Sequence, residues 1–197
     1  MKQLPTLLTL FRIAMGPVIA GLILWAASET FADRLLAGFI YAFCLILFVL
    51  AAITDWLDGW LARKYDAVTP LGAALDHTAD KVLIVCVLVA LAYAALPLGL
   101  VAAAVLILGR DVAIAGLREG LSQSGRALPV TQLGKWKAAA EMAGVGAFLG
   151  FKAAATLFAP ASIVLGLDWA ARILIWAAAA LALISAVYYA MAAVKRA

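Results

Sequence analysis

The chain has 197 residues, 68% of them hydrophobic and 13% charged, with a formal net charge of +4 and a mean hydropathy of +1.10. A soluble domain of this length is about half apolar, so the composition excludes an ordinary soluble enzyme and points to a polytopic membrane protein. No Ser/Pro-rich linker, charge block, low-complexity tract or internal repeat divides the sequence, so residues 1–197 are expected to form a single domain.

Crossing the hydrocarbon core takes about twenty consecutive apolar residues, and the sequence predicts six such spans. The first runs from Leu7 to Ala27. It holds Arg12 and lacks a small-residue cleavage site, so it is expected to stay in the mature protein. The second runs from Leu35 to Leu61. The third runs from Leu71 to Leu96, where Pro97 and Gly99 break the helix. The fourth covers Leu100 to Leu121, the fifth Leu133 to Leu157 and the sixth Trp169 to Val194. Cys44 and Cys86 both lie inside apolar runs and read as packing residues rather than a disulfide. The expected fold is all-α, with six transmembrane helices and both termini on one side.

Positive charge sets that side. Lys2, Lys195 and Arg196 flank the termini, Arg63 and Lys64 follow span two, and Arg118, Arg126, Lys135 and Lys137 lie around the connection from span four to span five. The opposite connections hold mainly Arg34, with Lys152 and Arg172 near helix ends. The termini are therefore expected to face the cytoplasm, and the net positive charge suits anionic lipid headgroups. Basic residues confined to short connections between spans give no surface for a nucleic acid.

The stretch from Thr54 to Lys81 concentrates unusual chemistry. Asp55 and Asp58 are spaced i,i+3 and Asp76 and Asp80 i,i+4, so each pair shares one helical face. The short connection between them, with turn chemistry at Pro70 and Gly72, folds span three back against span two. Four carboxylates then converge at one end of a helix hairpin. Like charges near a low-dielectric medium repel, and intramembrane carboxylates are costly and functional by default. Divalent cations resolve the conflict, and an all-oxygen set favours Mg²⁺ or Mn²⁺ over Zn²⁺. This spacing serves a divalent-cation transporter as well as an enzyme. Gly59 and Ala62 are small: a helical Gly costs about 1 kcal/mol against Ala, and such positions admit either a flat ligand ring or a tightly packed helix. Arg63 suits either a phosphate or a membrane-interface anchor.

The full pattern is Asp55-x2-Asp58-Gly59-x2-Ala62-Arg63, eight residues, then Gly72-x3-Asp76-x3-Asp80. It resembles the signature of the CDP-alcohol phosphotransferases, D-x2-D-G-x2-A-R-x8-G-x3-D-x3-D, at every fixed position. Three further stretches, "LPTLLTLFRI", "DHTADKVL" and "GRDVAIAGLRE" followed by "LGKWKAAAEM", resemble the bacterial branch of that family that makes phosphatidylglycerophosphate. Departures from its usual residues are Gln3, His77, Asp111 and Glu141, where Asn, Pro, Glu and Gln are usual.

The resemblance implies a six-helix membrane enzyme of the bacterial inner membrane with two divalent cations, Mg²⁺ or Mn²⁺, and a cytoplasmic active site. It implies transfer of the phosphatidyl group from CDP-diacylglycerol to sn-glycerol 3-phosphate, releasing CMP. It assigns Asp55, Asp58, Asp76 and Asp80 as metal ligands, Asp80 also as catalytic base, and Thr54, Gly59, Ala62 and Arg63 to the CDP-lipid pocket. It also suggests a homodimer. A dianionic acceptor needs cations beyond those the aspartates use, and Lys81, Arg110, Arg118, Lys135 and Lys137 are the candidates, with the two arginines first because a guanidinium binds phosphate bidentately; Lys137 suits a membrane-interface anchor equally well. Asp111 and Glu119 are expected to orient neighbouring arginines. Inositol phosphate, serine or phosphatidylglycerol as acceptor remain alternatives within the same family.

Overall fold

The computed structural model describes residues 4–28, 33–64, 70–94, 96–123 and 132–194; at 4–6, 56–64, 70–74, 76, 77, 123 and 192–194 only the helical backbone is described. These residues form six helices: α1 (Leu4–Ser28), α2 (Arg34–Lys64), α3 (Pro70–Tyr93), α4 (Leu98–Gln123), α5 (Gln132–Thr156) and α6 (Ala161–Val194). Chains this apolar must satisfy backbone polar groups within the segment, and helices do so.

The breaks have local causes. Pro97 supplies the carbonyl that starts α4, accepting from the amides of Leu100 (2.7 Å) and Val101 (3.0 Å). Pro160 does the same for α6 through Ile163 (2.9 Å) and Val164 (3.2 Å). That is why α6 begins eight positions before the expected Trp169: the hydropathy minimum at Asp168 lies inside the helix, not at its start. At the end of α5, Phe158 takes a left-handed conformation (φ 57°), and the amide of Ala159 bonds back to the carbonyl of Ala154 at 3.0 Å. This is the reversed last turn that closes many helices, here without the usual glycine.

Among the described residues four stretches are long and apolar enough to cross a membrane: Leu7–Ser28, Arg34–Asp55, Leu98–Ser122 and Ala161–Met191. The other two helices also carry charge, Asp76, Asp80 and Lys81 in α3 and Lys135, Lys137, Glu141 and Lys152 in α5. Large apolar side chains such as Phe39, Val105, Val112 and Ile173 are exposed, as lipid-facing residues would be. Cys44 and Cys86 are free thiols.

The chain divides into two compact units, residues 1–96 with 145–168, and residues 97–144 with 169–197. In the first unit, α1 packs against both α2 and α3. Its buried stripe is Thr9, Arg12, Ile19, Ile23 and Ala26, and Cys44 and Phe48 of α2, Leu83, Val87 and Leu91 of α3, and Phe148 and Leu149 of α5 are buried in the same unit. The absence of a side chain at Gly16 sets how closely α1 approaches α3: a Cβ there would lie 3.1 Å from Leu83 Cα and 3.2 Å from the Val82 carbonyl oxygen. In the second unit, α6 presents a seam at alternating spacings of four and three: Ala171, Ile175, Ala178, Ala182, Ser185 and Tyr189, all buried. Small residues along it let helices close in, and Gly144 of α5 contributes, since a Cβ there would come within 2.8 Å of Ile175 Cγ1.

Candidate active site

Thr54 and Asp55 sit near the last third of α2, and Asp80 and Lys81 in the first half of α3. The packing of α1 between them places Arg12 against both aspartates. Its Nη1 donates to Asp55 Oδ1 at 2.5 Å and to Asp80 Oδ1 at 2.6 Å. Two carboxylates from different helices thus share one cationic nitrogen. The arginine side chain is 0% exposed, whereas those of Asp55 and Asp80 are 32% and 36% exposed. The guanidinium approaches from the protein interior and the carboxylates keep an open side.

Thr54 uses its hydroxyl as a donor to the carbonyl of Ala51 at 2.8 Å, one turn back along its own helix. Lys81 is half-buried. Asp58, Gly59, Ala62 and Arg63 fall on α2 and Asp76 and His77 on α3, but their side chains lie outside the described residues, as do Asp66 and Arg126 altogether. Among the described residues no group of three or more His, Cys, Asp or Glu gathers as a metal centre would require. The part that is described fits a divalent cation: oxygen donors only, from two helices, brought onto one positive centre. Such donors suit Mg²⁺ or Mn²⁺.

The second unit holds a separate polar cluster. Arg110 on α4 donates from Nη1 to Asp111 Oδ1 (3.0 Å) and from Nη2 to Ser185 Oγ on α6 (2.7 Å). The Ser185 hydroxyl in turn donates to the carbonyl of Ala182 at 2.9 Å. One turn on, Arg118 Nη2 donates to the Tyr189 hydroxyl at 3.1 Å. The Tyr189 ring lies under both guanidinium groups, 5.6 Å from Arg110 and 5.3 Å from Arg118. From α5, Lys137 reaches Asp111 Oδ2 (2.7 Å) and Glu141 Oε2 (2.6 Å).

The cluster therefore joins three cations, Arg110, Arg118 and Lys137, to two carboxylates, Asp111 and Glu141. Arg110 Nε, Arg118 Nε and Glu141 Oε1 are buried and make no hydrogen bond. Buried polar groups are normally satisfied, so the two Nε–H groups leave donor capacity for an anion, while Glu141 Oε1 is an unused acceptor. Asp111 orients Arg110, as the sequence suggests. Lys137, which sequence alone left between an interface anchor and a ligand, is buried, while Lys135 is exposed.

Sequence reasoning missed Arg12, Ser185 and Tyr189. Arg12 had a signal, since an ionisable residue inside an apolar span is a functional candidate by default. Ser185 and Tyr189 stand in a segment that reads as generic apolar helix; their place on the α6 seam at four- and three-residue spacing was the only cue.

Residues 2–184 match the family model described as CDP-alcohol phosphatidyltransferase, and the chain belongs to that family. A protein of Rickettsia typhi named CDP-diacylglycerol–glycerol-3-phosphate 3-phosphatidyltransferase is 35% identical over 194 residues, covering 96% of both chains. One of the same name from Cereibacter sphaeroides is 38% identical over 150 residues, 75% of this chain and 64% of the relative, so the chain spans less than two thirds of that protein. A cardiolipin synthase (CMP-forming) of Oryza sativa subsp. japonica is 36% identical over 155 residues, 71% of this chain and 43% of the relative.

Proposed function

We propose that this chain transfers the phosphatidyl group of CDP-diacylglycerol to the hydroxyl of sn-glycerol 3-phosphate, giving phosphatidylglycerophosphate and CMP. The observation that carries the reading is the meeting of Asp55 and Asp80 on one cationic nitrogen, within a signature complete at every fixed position. The names of the bacterial relatives support the acceptor.

In this reading Asp55, Asp58, Asp76 and Asp80 hold two divalent cations, Mg²⁺ or Mn²⁺. When bound, such ions neutralise the leaving phosphate oxygens and polarise the attacked phosphoryl group. Asp80 takes the proton of the acceptor hydroxyl as its oxygen bonds to the lipid-side phosphorus and the bond from that phosphorus to CMP breaks. CMP leaves as a phosphate of low pKa, so no general acid is needed. Thr54, Gly59, Ala62 and Arg63 line the CDP-lipid pocket, the small residues admitting the cytosine and Arg63 meeting the diphosphate. Arg110 and Arg118 hold the acceptor phosphate, with Lys81 and Lys135 adding charge.

All six helices span the bacterial inner membrane in this reading, with termini and carboxylates on the cytoplasmic side, as the distribution of Lys and Arg favours. Residues 1–197 act as one catalytic domain, and two copies of the chain associate. The rice relative favours a second reading in which phosphatidylglycerol is the acceptor.

The test is CMP release from CDP-diacylglycerol by the purified protein over a panel of glycerol 3-phosphate, phosphatidylglycerol, inositol phosphate and serine. Preference for glycerol 3-phosphate is expected. Preference for another acceptor would overturn the acceptor assignment, and no CMP release with any of them would overturn the reaction.

A further inference from the structure

Arg12 heads the large, fully buried side chains among the described residues, and its position is unusual for a charge. It lies on the buried stripe of α1, one turn before the close crossing with α3 at Gly16, and its Nη1 bridges Asp55 and Asp80. A guanidinium with no contact with solvent is stable only where anions and hydrogen bonds compensate it. Conversely, two carboxylates this close would push α2 and α3 apart without a cation between them. The exposures differ in a telling way. The arginine is sealed inside, and a third of each carboxylate is open. An ion entering from the open side meets carboxylate oxygens first and finds Arg12 behind them.

We infer that Arg12 is a built-in counter-cation of the carboxylate site. It holds the acidic faces of α2 and α3 against α1 before any divalent ion binds, and it lowers the affinity of the site for that ion. The sign follows from charge. Arg12 and an incoming cation share the same two anions, so each weakens the other. An enzyme built this way stays folded without metal and exchanges metal readily. The inference rests on Asp55 and Asp80 being cation ligands, and it adds a positioning residue from a third helix.

The experiment uses the full chain in detergent, with Mn²⁺ as the probe. Free Mn²⁺ is counted by its paramagnetic resonance signal, and unfolding is followed by heating with and without the ion. Arg12→Gln should bind Mn²⁺ at least about tenfold more tightly than the parent, given one unit charge removed at contact distance from the ligands. Its ion-free form should melt lower than the parent's, and saturating Mn²⁺ should restore most of the difference. Arg12→Lys, which keeps the charge, should bind within about threefold of the parent. Parental or weaker Mn²⁺ binding by Arg12→Gln, or an ion-free form as stable as the parent, would overturn the inference. If Arg12→Gln does not fold without the ion, it is purified with Mn²⁺ and then chelated. Unfolding on chelation, with the parent and Arg12→Lys still folded, is then the expected result, and survival with parental affinity overturns it. A parent chain that binds no Mn²⁺ would remove the ligand reading and this inference together, whereas equal binding by parent and variant would remove the inference alone.

Discussion

Tyr189 offers the sharpest test of the proposed acceptor site, because two of its substitutions separate two interactions. Its hydroxyl accepts from Arg118 Nη2 at 3.1 Å, and its ring lies under both Arg110 and Arg118. Tyr189→Phe removes only the hydroxyl. A hydrogen bond to a charged group is worth roughly 1.5–3 kcal/mol, and because the guanidinium keeps its stacking contact we expect the lower figure. At 1.4 kcal/mol per decade this is about a tenfold rise in KM for glycerol 3-phosphate. Tyr189→Leu also removes two cation–ring contacts, each worth about 1 kcal/mol when partly desolvated. The combined loss of about 3.5 kcal/mol corresponds to a rise of roughly 300-fold. Both are upper values, since a loosened arginine still reaches its ligand. The assay is initial-rate CMP release with each substrate varied at saturation of the other, alongside thermal unfolding to confirm the fold. KM for CDP-diacylglycerol should move less than twofold or so. If Tyr189→Leu leaves KM for glycerol 3-phosphate unchanged, or raises both KM values alike, the arginine–tyrosine cluster is not an acceptor site.

Other outcomes are expected as well. Asp→Asn at Asp55, Asp58 or Asp76 should abolish CMP release while the protein keeps its helical circular-dichroism spectrum, and excess chelator should reversibly silence the parent chain. Asp80→Asn should lower turnover by roughly 10²–10⁴-fold, the usual cost of losing a general base, with a much smaller change in CDP-diacylglycerol binding measured by isothermal titration. Gly16→Ala should destabilise: its Cβ would sit 3.1 Å from Leu83 Cα, and backbone cannot rotate away. We expect a loss of about 1–2 kcal/mol and a melting temperature lower by roughly 2–8 °C. Gly146→Ala, whose Cβ would meet only the Phe48 ring at 3.8 Å, should melt at or slightly above the parent.

The family and the expected chemistry were legible because both are local properties of the chain. Helix formation in an apolar medium follows from composition, and the turn residues Pro70, Pro97 and Pro160 act within a few positions of themselves. The i,i+3 and i,i+4 spacings place Asp55 with Asp58 and Asp76 with Asp80 before any packing occurs. Even so, hydropathy misplaced the start of α6, because a backbone carbonyl at Pro160 and not apolarity begins that helix.

Partnership across helices was not legible. Arg12 is 43 positions from Asp55 and 68 from Asp80, and Tyr189 is 71 from Arg118. Nothing in the sequence states which face of α1 turns inward; the glycine that lets α1 touch the α3 backbone decides it. Sequence put Lys135 forward as an acceptor-phosphate ligand and left Lys137 between that role and an interface anchor. Packing against Asp111 and Glu141 buries one and leaves the other exposed, because two positions along a helix turn a side chain through more than half a revolution.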